Sequence, residues 1–325
     1  MEPIGFTWFD TGTFENYVET NKNLSGAEKK FDFSKGDEFI YFVNGRVIKY
    51  FSDSEIVTNR CKRSILLKGL CPEIEVNNNN YYSYKKIDGH VLYNILNNEV
   101  FNNFLKWADK KLWKKHKLND NDQLKFNSAC KKFYHDKTKS RLDMFYDKIG
   151  IIDAENKIND THVPSIKTLF SMIDWEIFYS GTPASIHGDL QFDNILVTRD
   201  KKNQLDKFIL LDWRQDFGGL IKIGDLYYDL AKLYGGMILS YQLIKEGMFS
   251  FDMSGSSVHY NYYIKNDLLE AKEMYQQFLA TNDYRLKKVK IMVGLIFLNM
   301  SPLHHDPFDH LLYFLGKSMI YRNIS

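Results

Sequence analysis

The stretch from Ser185 to Leu233 constrains this chain more than any other. It reads S-I-H-G-D-L-Q-F-D-N-I-L-V-T, then a short polar turn, then K-F-I-L-L-D-W-R-Q-D-F-G-G, then G-D-L-Y-Y-D-L-A-K-L. His187-Gly188-Asp189 opens a loop that closes at Asn194. Ile195-Leu196-Val197 reads as a short buried strand, and a second apolar run, Phe208 to Leu211, delivers Asp212 at its end. The polar Asp200-Lys201-Lys202-Asn203-Gln204 between the two runs predicts a hairpin. Such a hairpin brings Asn194 and Asp212 to the same end of a strand pair. An amide oxygen and a carboxylate then face a common point, with Asp189 free beside them. Hard oxygen ligands plus a separate carboxylate are what a magnesium nucleotide and an attacking hydroxyl require.

The order and spacing H-G-D-L-x-x-x-N-I-L, L-L-D-W and G-D-x-x-x-D-L-A-K resemble the catalytic core of the aminoglycoside phosphotransferase and choline kinase families. These share the protein-kinase-like fold. The resemblance implies a bilobal α+β chain, with a small antiparallel-sheet lobe over residues 26–88 and a large, mostly helical lobe over 89–325. It implies ATP or another nucleoside triphosphate with Mg2+, and a small-molecule hydroxyl acceptor such as a sugar or amino alcohol. Asp189 takes the place of the catalytic carboxylate, and Asn194 and Asp212 those of the metal ligands. Asp229, with Asp225 and His187, takes that of the structural brace of the loop. A nucleotide-binding protein without turnover is the alternative, and every catalytic group is present to argue against it.

Upstream, Glu38 to Val43 and Arg46 to Phe51 flank Asn44-Gly45, the strongest short hairpin signal. Val47, Lys49 and Phe51 share one face of the second strand. Lys49 is either the strand lysine that holds the nucleotide's phosphates, as the resemblance implies, or a lysine snorkelling at a sheet edge. A helix is predicted over Ser52–Leu70, capped by Ser52 or Ser54. Glu55 near its start pairs with Lys49 or serves the helix dipole. The family's acid on this helix has no obvious counterpart, since Lys62 and Arg63 occur instead. Asn77 to Asn80 is a turn between two short strands. Tyr84-Lys85-Lys86-Ile87-Asp88-Gly89 resembles the segment joining the lobes, so Tyr84 and Lys86 are placed with the nucleotide. A G-x-G-x-x-G loop is missing, and Lys35-Gly36-Asp37 does not replace it.

Val91 to about Ser180 is predicted helical. Lys110 to Lys117 reads as a solvated basic face. Asn119 to Asp122 is a polar loop. Phe133 to Arg141 is basic and reads as a surface turn, the alternative being cations offered to an anionic substrate. Arg214, two residues past Asp212, meets a phosphate or pairs with Asp216 or Asp225. His304-His305-Asp306 with Asp309-His310 reads as a polar cap or rim rather than a zinc site.

Residues 1–25 stand apart. Thr13 caps a predicted helix whose face carries Phe14, Tyr17 and Val18. W-F-D-T-G-T is similar to the tail of sugar-phosphate nucleotidylyltransferases, which implies a link to surface polysaccharide, such as capsule, but no nucleotidyl transfer. The 325 residues carry 43 basic and 41 acidic side chains, a formal net charge of +2. That balance supplies no bulk field for nucleic acid or a membrane surface. Three cysteines without metal spacing, and no apolar leader at the N-terminus, point to a reducing cytoplasm. Ile291 to Leu298 is too short to cross a bilayer, which takes ~20 residues.

Overall fold

The structure is a computed structural model that describes residues 38–199 and 206–324. The expectations placed on residues 1–25, on Lys35-Gly36-Asp37 and on the turn between Asp200 and Gln204 lie outside the described residues.

The described residues begin with β1 (Glu38–Val43) and β2 (Arg46–Phe51), antiparallel with Phe42 opposite Val47. Asn44 and Gly45 both adopt positive φ, 48° and 70°, the geometry a two-residue hairpin needs to match strand twist. Val47, Lys49 and Phe51 are all buried, so the shared face is the inner one. Helix α1 (Ser54–Leu66) follows. Its cap is Asp53, whose carboxylate accepts the Glu55 N–H at 2.8 Å, rather than Ser52 or Ser54. The inner stripe of α1 holds Val57, Arg60 and Arg63, so two arginines face the protein rather than water. Strands β3 (Ile74–Asn77) and β4 (Tyr81–Lys85) complete a sheet of order β1-β2-β4-β3. The Asn80 amide closes their turn onto the carbonyls of Phe51 and Ser52, each at 2.9 Å.

β5 (His90–Val91) carries the chain into the helical part. Helix α2 (Asn98–Trp107) is capped by Asn97. The lysines of Lys110–Lys117 are exposed, as a solvated face should be. Asn119 is a helix cap, accepting from the Asp122 N–H, so the polar loop foreseen there is the start of α3 (Asp120–Lys131). A wide π-turn, Lys132–Asp136, continues directly into α4 (Lys137–Ile149). The surface turn expected over Phe133–Arg141 is therefore continuous helical backbone, with Phe133, Tyr134 and Thr138 buried.

A small sheet interrupts the helices. β6 (Asn156–Ile158) and β7 (Thr161–Val163) pair, and they are later joined by β12 and β13. Helices α5 (Ile166–Met172) and α6 (Trp175–Tyr179) lead to β8 (Pro183–Ala184). β9 (Ile195–Arg199) and β10 (Asp206–Leu210) are antiparallel, Ile195 opposite Leu210, in a sheet of order β10-β9-β5. β11 (Gly224–Asp225) starts α7 (Leu226–Ile238), which is buried nearly all round. After α8 (Tyr241–Lys245) come β12 (Phe249–Ser254) and β13 (Ser257–Tyr262). Helices α9 (Asn266–Thr281), α10 (Leu286–Met300) and α11 (Phe308–Ile324) close the chain. The fold is thus α+β, an antiparallel sheet with one helix followed by a larger, mostly helical part. Among the described residues no helix is long and apolar enough to cross a membrane.

Helices α10 and α11 touch through glycine. A Cβ built on Gly316 would lie 2.7 Å from the Gly294 carbonyl oxygen, and one on Gly294 would lie 2.8 Å from the Gly316 carbonyl. Backbone on both sides leaves nothing flexible to yield. Gly316→Ala is expected to cost about 1–3 kcal/mol by overpacking. A urea midpoint that moves by less than the equivalent of about 0.5 kcal/mol would show that the two helices separate freely.

Candidate active site

The site is assembled at the ends of β2, β9 and β10 and the start of α7. β10 ends at Leu210, and two residues later Asp212 takes a positive φ of 60°, rare outside glycine but tolerated by aspartate. The Leu211 N–H donates to the Asn194 carbonyl at 2.8 Å, which ties the residue before Asp212 to Asn194. The two expected metal ligands are therefore neighbours, as the hairpin required.

Asp212 Oδ1 receives two cations, Lys49 Nζ at 2.5 Å and Arg60 Nη1 at 2.6 Å. Both donors are deeply buried, Lys49 at 5% and Arg60 at 6% exposure. Burial opposes ionisation of Asp212, but Lys49 and Arg60 outweigh it and hold the carboxyl well below the usual range. Burial also lowers the Lys49 ammonium, with Asp212 pulling the other way. Oδ2 has no partner among the described residues, so it remains available to a hard cation.

Glu55 does not enter this cluster. It is exposed in the first turn of α1, where its Oε1 meets the Asn59 amide at 3.5 Å. The pairing expected with Lys49 is replaced by Asp212, because the buried side of the helix carries Arg60. Arg60 was missed in the sequence. The signal was there: Val57, Arg60 and Arg63 recur at three-residue spacing, which puts two arginines on an inward stripe. The Arg63 guanidinium donates to the Ile186 carbonyl, and the Trp213 indole donates to the Arg60 carbonyl at 2.9 Å. Both contacts fasten α1 to the loop beyond it.

That loop is held from below by Asp229. Its Oδ2 accepts the His187 N–H and its Oδ1 the Gly188 N–H, each at 2.7 Å, and the Trp113 indole adds a third bond at 3.2 Å. Burial pushes the Asp229 carboxyl up to about 6 despite these donors. His187 is fully buried. Its Nε2–H donates to the Leu211 carbonyl at 2.8 Å, and its Nδ1 accepts the Asp189 N–H at 3.2 Å. That pattern is the neutral ring, and burial lowers His187 to about 4. Asp225 is likewise internal. It accepts the Tyr134 hydroxyl at 2.8 Å and the Thr182 N–H at 2.7 Å, and caps α7.

Asp189 is not free, contrary to expectation. Lys232 Nζ lies 2.6 Å from its Oδ1, and the Gln191 amide donates to the same oxygen at 3.0 Å. Burial alone would raise Asp189, but Lys232 and Gln191 hold it down to about 2. Lys232 was also missed. It is a lysine inside the apolar run of α7, one turn from Asp229, and both point at the loop. The Asn194 amide nitrogen donates to the Asp189 carbonyl at 2.8 Å, which leaves its side-chain oxygen out of that bond.

Tyr84 sits mid-sheet, opposite Val47 on β2 and Ile74 on β3. Its ring is core, packed 6.3 Å from Tyr82, because β4 is an inner strand. Lys86 is exposed, and its N–H is already taken by the Gly45 carbonyl at 2.8 Å. Neither side chain joins the carboxylate cluster. Arg214 donates its N–H to the His187 carbonyl at 3.1 Å, and its guanidinium lies 4.9 Å from the Phe133 ring centre. Among the described residues it pairs with neither Asp216 nor Asp225. Asp309 and His310 are 2.7 Å apart, with Asp306 beside them, but Lys148 Nζ already sits 2.8 Å from Asp309. Lys148 meets Asp309 through Oδ2 and so ties α4 to α11, while His310 faces Oδ1.

A cavity of about 780 Å3 joins these groups. Asp189, Asp212 and Arg60 line it, as do Lys137, Arg141 and Arg214.

No family model matches the chain, and no curated protein matches it. Solved structures are similar to it. The streptomycin–ATP–APH(2")-IIa ternary complex aligns over 98% of this chain and 97% of that chain, at 17% identity and a TM-score of 0.48. An ethanolamine kinase from Plasmodium vivax aligns over 95% and 88%, at 14% identity and 0.46. A choline/ethanolamine kinase family protein from Mesorhizobium loti aligns over 96% and 98%, at 10% identity and 0.40. What the site can do rests on this chain's own residues.

The Asp189–Lys232 pair has a pH signature. A carboxyl depressed to about 2 contributes stability that is complete above the ordinary carboxylate range and is lost as pH falls through the folded value. Lys232→Met removes the ammonium, so the loss of stability between pH 5 and pH 3 should be smaller than in the parent protein. Denaturant midpoints at the two pH values read this directly, and an equal loss in both proteins would show that Lys232 does not set the Asp189 carboxyl.

Proposed function

We propose that the protein transfers the terminal phosphoryl group of ATP, or of another nucleoside triphosphate, to a hydroxyl of a small molecule. The carrying observation is the placement of two ionised carboxylates with different partners beside one cavity. Asp189 has a lysine and an amide and lines the cavity; Asp212 has two cations on one oxygen, no partner on the other among the described residues, and follows Leu211, which bonds Asn194.

The donor set suits Mg2+, a hard ion that takes carboxylate and amide oxygens. Asn194 Oδ1 and Asp212 would hold it, and it would supply charge neutralisation at the phosphates. Lys49 neutralises phosphate charge alongside. Arg60 has the charge for the same task, from the helix where an acid was expected. Asp189, ionised down to about pH 2, is a weak base at neutral pH. Its first task is therefore to orient the acceptor hydroxyl and to receive its proton as the new oxygen–phosphorus bond forms. The bond to the leaving nucleoside diphosphate breaks in the same step. Positioning and preorganised charge supply most of the rate. His187, Asp225 and Asp229 act beneath the site, since each is fully buried and engaged with backbone.

In this reading residues 26–88 are the nucleotide-side lobe and 89–325 the catalytic and acceptor lobe. The three cysteines form no disulfide, which fits a reducing compartment such as the cytoplasm. A surface-polysaccharide setting rests on residues 1–25 alone.

Two substitutions separate the carboxylates. Asp189→Asn should lower transfer on the order of 10²–10⁴-fold while magnesium-nucleotide affinity stays close to that of the parent. Near-normal turnover would remove Asp189 from the chemistry. Asp212→Asn keeps the shape that Lys49 and Arg60 pack against, yet lowers magnesium-dependent nucleotide affinity by about tenfold or more, roughly 1.4 kcal/mol. Calorimetry with and without magnesium decides it, and an unchanged metal requirement would mean that Asp212 is not a ligand.

A further inference from the structure

The cavity lining also holds a group of cations gathered at one aromatic ring. Phe133, Lys137 and Arg141 follow at four-residue intervals through the π-turn and α4, so they share one face. Lys137 Nζ lies 4.6 Å from the centre of the Phe133 ring, and the Arg214 guanidinium 4.9 Å from the same centre. Two cations thus gather at one aromatic ring inside a cavity, with Arg141 one turn beyond.

Among the described residues none of the three has a carboxylate partner. The Arg141 guanidinium contacts the Met144 sulfur at 3.9 Å, and Arg214 Nε is buried with no hydrogen-bond partner. Asp193 and Glu38 line the same cavity, but neither is paired with these three cations, and the acids nearest the ring are engaged elsewhere. Asp189 is held by Lys232, Asp212 by Lys49 and Arg60, and Asp216 accepts the Gly219 N–H at 2.8 Å. Like charges brought together without a counter-charge are costly, and the cost falls when an anion enters. Lys137 registers it: burial first, then Arg214, Arg141 and Lys232, lower its ammonium to about 6, with Asp216 opposing.

We propose that the hydroxyl acceptor itself carries a phosphate group, seated on Lys137, Arg141 and Arg214 while its hydroxyl reaches Asp189. The proposal rests on the phosphotransferase reading and narrows it to phosphomonoesters of polyols or sugars. Two guanidiniums, and a lysine whose charged form an arriving anion would favour, match a dianion better than a monoanion, and the planar guanidinium of an arginine suits phosphate oxygens. The same wall disfavours cationic acceptors such as amino alcohols and aminoglycosides.

Transfer to matched probes tests it: glycerol against glycerol 3-phosphate, ribitol against ribitol 5-phosphate, with choline as the cationic probe. The phosphomonoester should exceed its neutral parent by about tenfold or more in kcat/KM, and choline should be poorest. Arg141→Ala and Lys137→Ala should shrink that ratio towards one. Equal or better transfer to the neutral or cationic probes overturns the proposal. Affinity for the magnesium nucleotide is measured on the same variants. If it falls as far as the phosphomonoester ratio does, the cations serve the nucleotide and the proposal fails. If no probe is phosphorylated, calorimetry with inorganic phosphate decides. Binding that both variants weaken tenfold or more supports the seat, and no binding, or binding the variants leave intact, refutes it. A protein that binds phosphate there but no magnesium nucleotide would refute the phosphotransferase reading and leave the anion seat standing.

Discussion

A buried carboxylate under the loop sets the geometry of everything above it. Asp229 accepts the backbone N–H groups of His187 and Gly188 with its two oxygens, and the Trp113 indole completes the set. Burying an acid is expensive unless donors meet it. Here the donors are mostly backbone, so the carboxylate dictates the path of the chain rather than the rotamer of one neighbour. Gly188 shows how tightly. Its φ is 86°, and a Cβ there would lie 2.7 Å from the Arg214 Cβ. Once the loop takes this path, His187 reaches the Leu211 carbonyl, Arg214 reaches the His187 carbonyl, and Asp189 and Asn194 are placed by consequence.

Two further carboxylates stand above that base, and both are kept ionised by cations drawn from elsewhere in the chain. Lys232 comes from α7, the helix that also supplies Asp229. Lys49 and Arg60 come from the first sheet and its helix. Asp212 is thus the point where the first part of the protein is ionically joined to the second. Removing it would leave two buried cations facing each other, a change that costs far more than an ordinary surface pair. The joint fixes the charges around Asp212 within the fold itself.

The chemistry-bearing spacings were legible because each rests on local backbone rules. Asn44-Gly45 between β-rich runs forced the first hairpin and put Lys49 inward, and the two apolar runs after the loop brought Asn194 and Asp212 together. What stayed hidden depended on tertiary partners. Glu55 was the acid nearest to Lys49 along the chain, but a helix shows a stripe rather than a neighbour, and the stripe held Arg60. Lys232 ends the D-L-A-K motif with no role of its own in the sequence, and only the packing of α7, buried on nearly every side, brings it to Asp189. The pairing of β12 and β13 with β6 and β7 joins segments about a hundred residues apart, with no turn signal to announce it.

The reading of Phe133 to Arg141 failed for a related reason, and it bears on substrate class. A basic run beside polar residues resembles a solvated turn when composition is all there is. The chain instead stays helical through the π-turn, and the extra residue of that turn rotates the face that follows. Lys137 and Arg141 therefore line the cavity, beside Arg214 from the loop after Asp212. A formal net charge of +2 over the whole chain hides this arrangement, because the 41 acids and 43 bases nearly cancel. The field inside a cleft follows from which charges are paired there. In this cavity Asp189 and Asp212 are already matched by Lys232, Lys49 and Arg60, whereas Lys137, Arg141 and Arg214 have no carboxylate partner among the described residues.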